Sequence, residues 1–306
     1  MKERYLITGA AGFIGSQIAK SLVASKKEVV VILRSKKSIS RLAGFEKKLK
    51  IHVCDLRRKE LEKIVTGIRP THVFHLASYG VKPDDSNVKQ MFETNFLGTV
   101  NLLSVIKKIP LKLFINTGSS SEYGVYGRSI SEADLLKPVN DYGVSKAAST
   151  LYCQKEALRD NLPLVTFRLF SVYGPGEDGK RFIPYVINRA LEQKEIQLSD
   201  PGNVRDFVYV EDVVRAYTGF KINKLKPGSI YNLGSGKQST LKNVVDEVLN
   251  ITGSNSVVSW NTYPAQKRQI EPAIWKADIS KIKKEQDWKP RFSLTEGLKK
   301  TIQNFR

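Results

Sequence analysis

Residues 6–16 read LITGAAGFIGS, an apolar run followed by glycines at 9, 12 and 15 and then by the apolar positions of a second segment, FIGSQIAKSLVAS at 13–25. The pattern predicts a strand, a tight turn and a helix. Glycines at this spacing let the backbone turn sharply and approach a pyrophosphate, whose charge is then favoured by the unpaired N–H groups and dipole of the helix N-terminus. The same spacing also describes an ordinary strand-to-helix turn, so its meaning depends on the rest of the chain.

That rest repeats the unit. RYLITG (4–9), EVVVILR (28–34), KIHVCD (50–55), THVFHLA (71–77) and LKLFINT (111–117) are short and rich in β-branched or aromatic residues. Most are separated by stretches with helical apolar spacing, such as RKELEKIVTGI (58–68) and NVKQMFETNFLGTVNLLSVIKKI (87–109), where Met91, Phe92, Phe96, Leu97, Val100, Leu103 and Ile106 recur. DYGVSKAASTLYCQKEALRD (141–160) and LPLVTFRLF (162–170) add one more helix and strand. Runs such as VVVIL are apolar on both faces, as in a parallel sheet covered on both sides. The expectation is an α/β fold, a Rossmann-type doubly wound parallel sheet over residues 1–173. After Tyr173 a turn-rich loop, short strands near 196–198 and 207–210 and helices near 183–191, 213–220 and 241–249 predict a smaller mixed α/β substrate lobe over 174–306, with some segments returning to the sheet.

The chain has 306 residues, 41% hydrophobic and 26% charged, within the range of globular proteins. No apolar run approaches the ~18 residues of a membrane span, and the N-terminus lacks a signal-peptide pattern, so a cytoplasmic protein without a membrane partner is expected. Cys54 and Cys153 show no metal-ligand spacing with each other or with His52, His72 and His75, which points to no metal and no disulfide. The formal charge of +20 attracts anions, although lysine-rich segments such as KKEQDWK read equally as solvated helix faces.

At the end of the second strand the sequence is ILRSKKS. NAD-selective sites usually offer the ribose hydroxyls a carboxylate here; Arg34, Ser35 and Lys36 suit a 2′-phosphate instead, which favours NADP(H) and leaves NAD(H) as the alternative. Asp55 either accepts from an adenine amino group or caps the segment LRRKELEK.

Tyr142 and Lys146 stand four apart in DYGVSK and so share one helix face. A phenol titrates near 10, and an adjacent ammonium together with an oxidised nicotinamide favours the phenolate. Such a tyrosine takes a proton from an alcohol as hydride leaves, or returns one as hydride arrives.

With these motifs the chain resembles the extended short-chain dehydrogenase/reductase family, whose members modify nucleotide sugars as epimerases, dehydratases and reductases. The likeness covers nearly the whole sequence and includes FHLAS (74–78), ETNFLGT (93–99), RLFSVYGPG (168–176), RDFVYVEDV (205–213), YNLGSG (231–236) and KADISKIKKEQDWKP (276–290). It implies that Ser119, Tyr142 and Lys146 are catalytic, with Lys146 also meeting the nicotinamide ribose. It implies a cofactor groove formed by Gly9, Gly12, Phe13, Ile14, Gly15, Arg34, Ser35, Lys36, Asp55, Leu56, Leu76, Ala77 and Ser78, supported by Asn95. For the nucleotide-sugar substrate it implies Ser120, Ser171, Arg205 and Arg268; a guanidinium fork suits paired phosphate oxygens. Ser171 departs from the asparagine common in the family, and the segment of Arg268 is one residue short of the usual pattern. The helices at 87–108 and 141–160 resemble those that pair in a four-helix homodimer.

The stretch NTGSSSEYG (116–124) bears on the reaction. Counting from the strand and back from Tyr123 selects Ser119 as the catalytic serine. Dehydratases of the family carry a carboxylate two or three places before this tyrosine, where Ser120 and Ser121 stand, and Glu122 lies one place too late. A serine is a poor substitute for a carboxylate in acid–base work. Glutamate directly before the tyrosine resembles GDP-4-keto-6-deoxymannose reductases, and with Arg34 it favours an NADPH-dependent 4-keto reductase over a 4-epimerase with retained NAD. A cofactor-sensing or RNA-associated protein of the same fold is the alternative of a different class; the intact Ser119, Tyr142 and Lys146 speak against it, and no nucleic-acid partner is expected.

Overall fold

The computed structural model describes residues 3–35, 39–81, 85–262 and 273–305. Lys36 and Arg268 lie outside the described residues. Along the chain run β1 (Arg4–Thr8), α1 (Phe13–Ala24), β2 (Glu28–Leu33), β3 (Lys50–Val53), α2 (Glu60–Ile68) and β4 (His72–His75). These are followed by α3 (Val88–Met91), a π-helical turn (Phe92–Leu97), α4 (Gly98–Ile106), β5 (Leu113–Ser119), α5 (Asp141–Asp160) and β6 (Leu164–Leu169). The remainder comprises β7 (Ser171–Tyr173), α6 (Phe182–Leu191), β8 (Ile196–Leu198), β9 (Val204–Arg205), β10 (Phe207–Tyr209), α7 (Val210–Thr218), β11 (Ile230–Leu233), β12 (Ser239–Thr240), α8 (Leu241–Thr252), β13 (Val258–Trp260), α9 (Ser280–Gln286) and α10 (Leu294–Gln303).

Seven strands form one parallel sheet in the order β11-β6-β5-β4-β1-β2-β3, with helices on both faces, which is the doubly wound arrangement expected from the alternation. The strand order reverses between β1 and β4, and ligands of such sheets bind beyond the carboxyl ends of the strands at this switch point. One face is covered by α2, α4 and α5, whose Leu61, Val65, Leu102, Ile106 and Ala157 pack with Val30, Val73 and Phe114 of the sheet. Full burial of each large aliphatic side chain there stabilises the fold by about 1.5–3 kcal/mol. On the other side Tyr217 sets its ring edge-on to Phe74 and Phe167, with centroids 5.5 and 5.0 Å away.

Compact units do not follow a single cut near residue 173. The first comprises 1–122, 141–168 and 214–231; the second comprises 123–140, 169–213 and 232–306. The stretch 123–140 belongs with the C-terminal half because Tyr126 bridges Ile274 and Ile130 bridges Ala277. In the second unit β7 pairs in parallel with β10, β8 with β13, and β9 antiparallel with β12. The helical spacing after Asn87 is realised with a change of pitch: Asn87 caps α3 by accepting from Gln90 N–H, and the chain then loosens into the π-helical turn before α4.

Candidate active site

The glycine turn sits at the carboxyl end of β1. Gly9 has φ +74°, and a Cβ there would lie 2.5 Å from the Ala77 nitrogen, in the loop after β4. At Gly15 a Cβ would lie 2.3 Å from the Gly9 carbonyl oxygen, so the start of α1 presses directly on the turn. Gly12 N–H donates to the Gly9 carbonyl at 2.9 Å, and Gly12 opens α1 without a side-chain cap, with no acidic residue in the first turn. Phe13 and Ile14 are half-buried just behind it. This cradle, closed to a side chain at Gly9 and Gly15 and without an acidic residue in the first turn of α1, fits the pyrophosphate of a dinucleotide.

Arg34 is exposed at the end of β2 beside half-buried Ser35. Asp55, after β3, does not cap α2; its Oδ1 accepts from the backbone N–H of Arg57 at 2.9 Å and its two oxygens take the Arg57 guanidinium at 2.9 and 2.7 Å. That guanidinium, and more weakly Arg34, hold the Asp55 carboxyl below the usual carboxylate range. Arg57 also pairs with Glu93. Leu56 is buried beside Asp55. Arg41 was not singled out by the sequence; a short 3-10 turn brings its guanidinium to 3.5 Å from the Ala11 carbonyl in the glycine turn.

Leu76, Ala77 and Ser78 leave β4 toward the switch point, Leu76 N–H donating to the Thr8 carbonyl at 3.0 Å. Asn95, 1% exposed in the π-helical turn, holds this loop from beneath. Its amide oxygen accepts from Tyr79 N–H (2.8 Å) and Ser78 Oγ (3.2 Å), and its nitrogen donates to the Tyr79 carbonyl (2.9 Å) and Ser145 Oγ (2.9 Å). These four bonds fill the capacity of the amide. Ser145 in turn donates to the Tyr142 carbonyl at 2.8 Å, which ties the loop to the helix carrying Tyr142 and Lys146.

On α5, Tyr142 is half-buried and Lys146, one turn on, is 3% exposed. Burial pushes the Lys146 ammonium down, while the Glu122 carboxylate and Cys153 act the other way. Ser119 closes β5, and its Oγ accepts from Ser121 N–H at 3.1 Å within the 3-10 turn Ser120–Glu122. Ser120 is 6% exposed. α5 packs on β5 and on this turn, so Ser119 and the Tyr142–Lys146 face are held by adjoining elements.

Glu122 is buried completely. Its Oε1 accepts from Ser119 N–H (2.8 Å) and Thr150 Oγ1 (3.0 Å), and its Oε2 from Arg168 Nε (2.7 Å). Burial pushes this carboxyl up, and Arg168, Ser119 N–H and Lys146 draw it back toward the carboxylate. Gly118 is required beside it, since a Cβ there would sit 2.5 Å from Oε1. Nothing near Glu122 in the chain announces this contact: Arg168 is 46 residues away, on β6.

Among the described residues no cluster of histidine, cysteine or carboxylate side chains is arranged to hold a metal. His75 is buried between Thr8 Oγ1 (2.6 Å at Nδ1) and Thr99 Oγ1 (2.8 Å at Nε2), and burial pushes it down to about 3. Both cysteines are buried thiols. No described helix is long and apolar enough to cross a membrane.

Of the substrate residues expected from the sequence, Ser171 and Arg205 belong to the second unit and Ser120 to the first. Ser171 starts β7 and donates its N–H to the Asp206 carbonyl at 3.0 Å. Arg205 is half-buried on β9, with Nη1 donating to the Val204 carbonyl at 2.7 Å. Asp206 beside it is fully buried and accepts from the N–H groups of Ser235 (2.6 Å), Gly236 (3.1 Å) and Ala277 (3.0 Å), so its side chain ties together two backbone segments, 235–236 and 277.

The family model described as "NAD dependent epimerase/dehydratase family" matches residues 5–234. A UDP-N-acetyl-alpha-D-glucosaminuronate decarboxylase of Bacillus cytotoxicus is 32% identical over 100% of this chain and 98% of its own. A UDP-glucuronate 4-epimerase of Thermodesulfobacterium geofontis is 30% identical over 97% and 94%. Among solved structures, UDP-glucuronic acid 4-epimerase from Bacillus cereus in complex with UDP-glucuronic acid and NAD matches with TM-score 0.86 at 27% identity over 98% of each chain. UDP-glucose 4-epimerase from Thermotoga maritima with UDP-glucose matches with TM-score 0.87 at 26% identity over 99% and 98%. With its parallel sheet, glycine cradle and Ser119, Tyr142 and Lys146 on adjoining elements, the chain belongs to the NAD-dependent epimerase/dehydratase family, an extended short-chain dehydrogenase/reductase group of nucleotide-sugar enzymes.

Proposed function

We propose that this enzyme reduces the C4 ketone of a nucleotide-linked 4-keto-6-deoxy sugar with NADPH. The observation that carries the cofactor half of this reading is Arg34, exposed at the end of β2 where no carboxylate stands. The nicotinamide supplies or accepts the hydride. Tyr142 gives its proton to the forming alkoxide, Lys146 stabilises the phenolate left behind and meets the nicotinamide ribose, and Ser119 Oγ donates to the same sugar oxygen.

The cradle of Gly9, Gly12 and Gly15 with Phe13 and Ile14 holds the pyrophosphate, Arg34, Ser35 and Lys36 the 2′-phosphate, Asp55 and Leu56 the adenine end, and Leu76, Ala77 and Ser78 the groove wall. Ser120, Ser171, Arg205 and Arg268 are the residues proposed for the sugar nucleotide. Dehydration of a nucleotide sugar requires a carboxylate able to reach the substrate. Glu122 is locked by Arg168, Thr150 and Ser119 N–H in a buried position, so it does not take that part.

A second reading, 4-epimerisation with retained NAD, is favoured by the similarity to a 4-epimerase solved with NAD. Leu97 and the α5 residues Val144, Leu151 and Leu158 are exposed apolar side chains at 40–65%. Those on α5 recur every seven residues, a stripe that supports a homodimer through paired helices.

The decisive experiment incubates the purified protein with NADPH and 4-keto-6-deoxy sugar nucleotides and follows NADPH absorbance. Stoichiometric NADPH oxidation is expected. Interconversion of sugar epimers with no NADPH consumed and NAD released on denaturation rejects the reductase and supports the epimerase. Salt-sensitive RNA binding with neither activity rejects both.

A further inference from the structure

Lys146 is nearly excluded from water, yet its proposed part requires an ammonium. The charged and titratable groups that bear on it are Tyr142, one turn before it on the same helix face, Glu122 from the 3-10 turn, Cys153 from its own helix and His75 from β4. Burial holds Cys153 as a thiol and His75 as a neutral ring at physiological pH, so neither contributes charge there. Arg168, from β6, faces Glu122. While Tyr142 holds its proton, Glu122 is the one of these groups that brings negative charge to Lys146.

The same carboxylate is anchored on three sides, by the Arg168 guanidinium, the Thr150 hydroxyl and the Ser119 N–H. Thr150 is four residues beyond Lys146 on α5, so the bond to Thr150 pins the turn that follows Ser119 to the helix face that presents Lys146. Gly118 leaves open the space the carboxylate fills.

We propose that Glu122 is a positioning residue: its buried carboxylate fixes the backbone of Ser119 and supplies the negative charge that keeps Lys146 an ammonium beside Tyr142. The inference rests on the proposed Tyr142–Lys146 chemistry but not on the identity of the sugar. Glu122 touches neither substrate nor cofactor in this arrangement; it acts through Ser119 and Lys146.

The test titrates Tyr142 directly. The near-ultraviolet tyrosinate absorbance of the protein saturated with NADP⁺ is followed against pH and compared with that of Y142F, so that the difference belongs to Tyr142 and no substrate is needed. The parent protein should show a phenol titrating well below the ordinary value of about 10. E122Q keeps the shape and the acceptor for Ser119 N–H but removes the charge. Its Tyr142 should titrate about one pH unit higher, a tenfold loss of phenolate at neutral pH.

E122D, which keeps the charge, should titrate near the parent even where its melting temperature falls. Because E122Q takes the counter-charge away from Arg168, E122Q/R168Q removes both buried charges and should retain the upward shift in a folded protein. An unchanged Tyr142 titration in E122Q and E122Q/R168Q overturns the proposal, as does an unperturbed Tyr142 in the parent. A shift in a protein that transforms no nucleotide sugar leaves this inference standing and rejects the proposed reaction; the reverse result does the opposite.

Discussion

Arg168 Nε donates to Glu122 Oε2 at 2.7 Å, with the two side chains 2% and 0% exposed. The pair lies at the carboxyl ends of β5 and β6, in the interior of the first unit. Removing one partner of such a pair leaves a charge buried without compensation. R168M should therefore lower the unfolding free energy by about 3–5 kcal/mol, and E122L/R168M should recover most of that loss. Urea denaturation of the parent, R168M, E122L and E122L/R168M measures this; a double variant no better than R168M would contradict it.

His75 couples stability to pH on the acid side. Burial holds it down at about 3 from the ordinary 6.5. Between these values the unfolded chain binds a proton that the folded chain does not, so stability falls as pH drops through about 6.5 toward about 3. The loss approaches about 1.4 kcal/mol per pH unit within that window. H75Q, which keeps hydrogen bonding toward Thr8 and Thr99 without titrating, should flatten the slope of stability against pH below neutrality, whatever its effect at pH 8.

Glu177 behaves in the opposite sense. Its carboxyl is 9% exposed, Oε2 has no hydrogen-bond partner, and Arg181 stands 3.5 Å from Oε1. Burial pushes it up to about 7. The folded chain then holds a proton that the unfolded chain has released, so the contribution is complete below about 4.5 and is lost as pH rises through about 7. E177Q should raise stability by about 1–3 kcal/mol above pH 7 and leave it little changed below pH 4.5. Thermal melts across this range will show whether the gain has that pH dependence.

G15A should abolish the cradle rather than weaken it, because the added carbon would meet the Gly9 carbonyl oxygen at 2.3 Å and that oxygen belongs to a backbone turn. Dinucleotide affinity, followed by fluorescence titration, should drop by at least about tenfold, or 1.4 kcal/mol. G67A, in α2 where the added methyl meets nothing within 4 Å, should leave affinity unchanged.

The sheet was legible because periodicity is a local signal. VVVIL is apolar on both faces, and a strand of such sequence has few places to go other than the interior of a covered sheet. The four-residue spacing placed Tyr142 and Lys146 on one helix face, and the resemblance pointed to Ser119, which closes the strand that this helix packs on. What escaped were relations whose partners are distant in sequence. Glu122 read as a misplaced acid because nothing near it reveals that its carboxylate turns inward to Arg168. Asn95 read as part of a supporting helix, but the four bonds of its amide depend on Ser78, Tyr79 and Ser145. The stretch 123–140 carries too few apolar residues in phase to announce its neighbours, and its bridges to Ile274 and Ala277 span more than a hundred residues.

The place of β11 governs how this protein can be made. It pairs with β6 at one side of the seven-stranded sheet, although residues 170–229 separate the two strands in the chain. A nascent polypeptide leaving the ribosome therefore exposes the edge of β6, together with the aromatic face later covered by Tyr217, until a long intervening segment has been translated. Open strand edges and uncovered apolar faces are the features that recruit chaperones and promote aggregation. No contiguous N-terminal fragment ending before Ile230 contains the complete sheet, so the first unit becomes whole only late in synthesis.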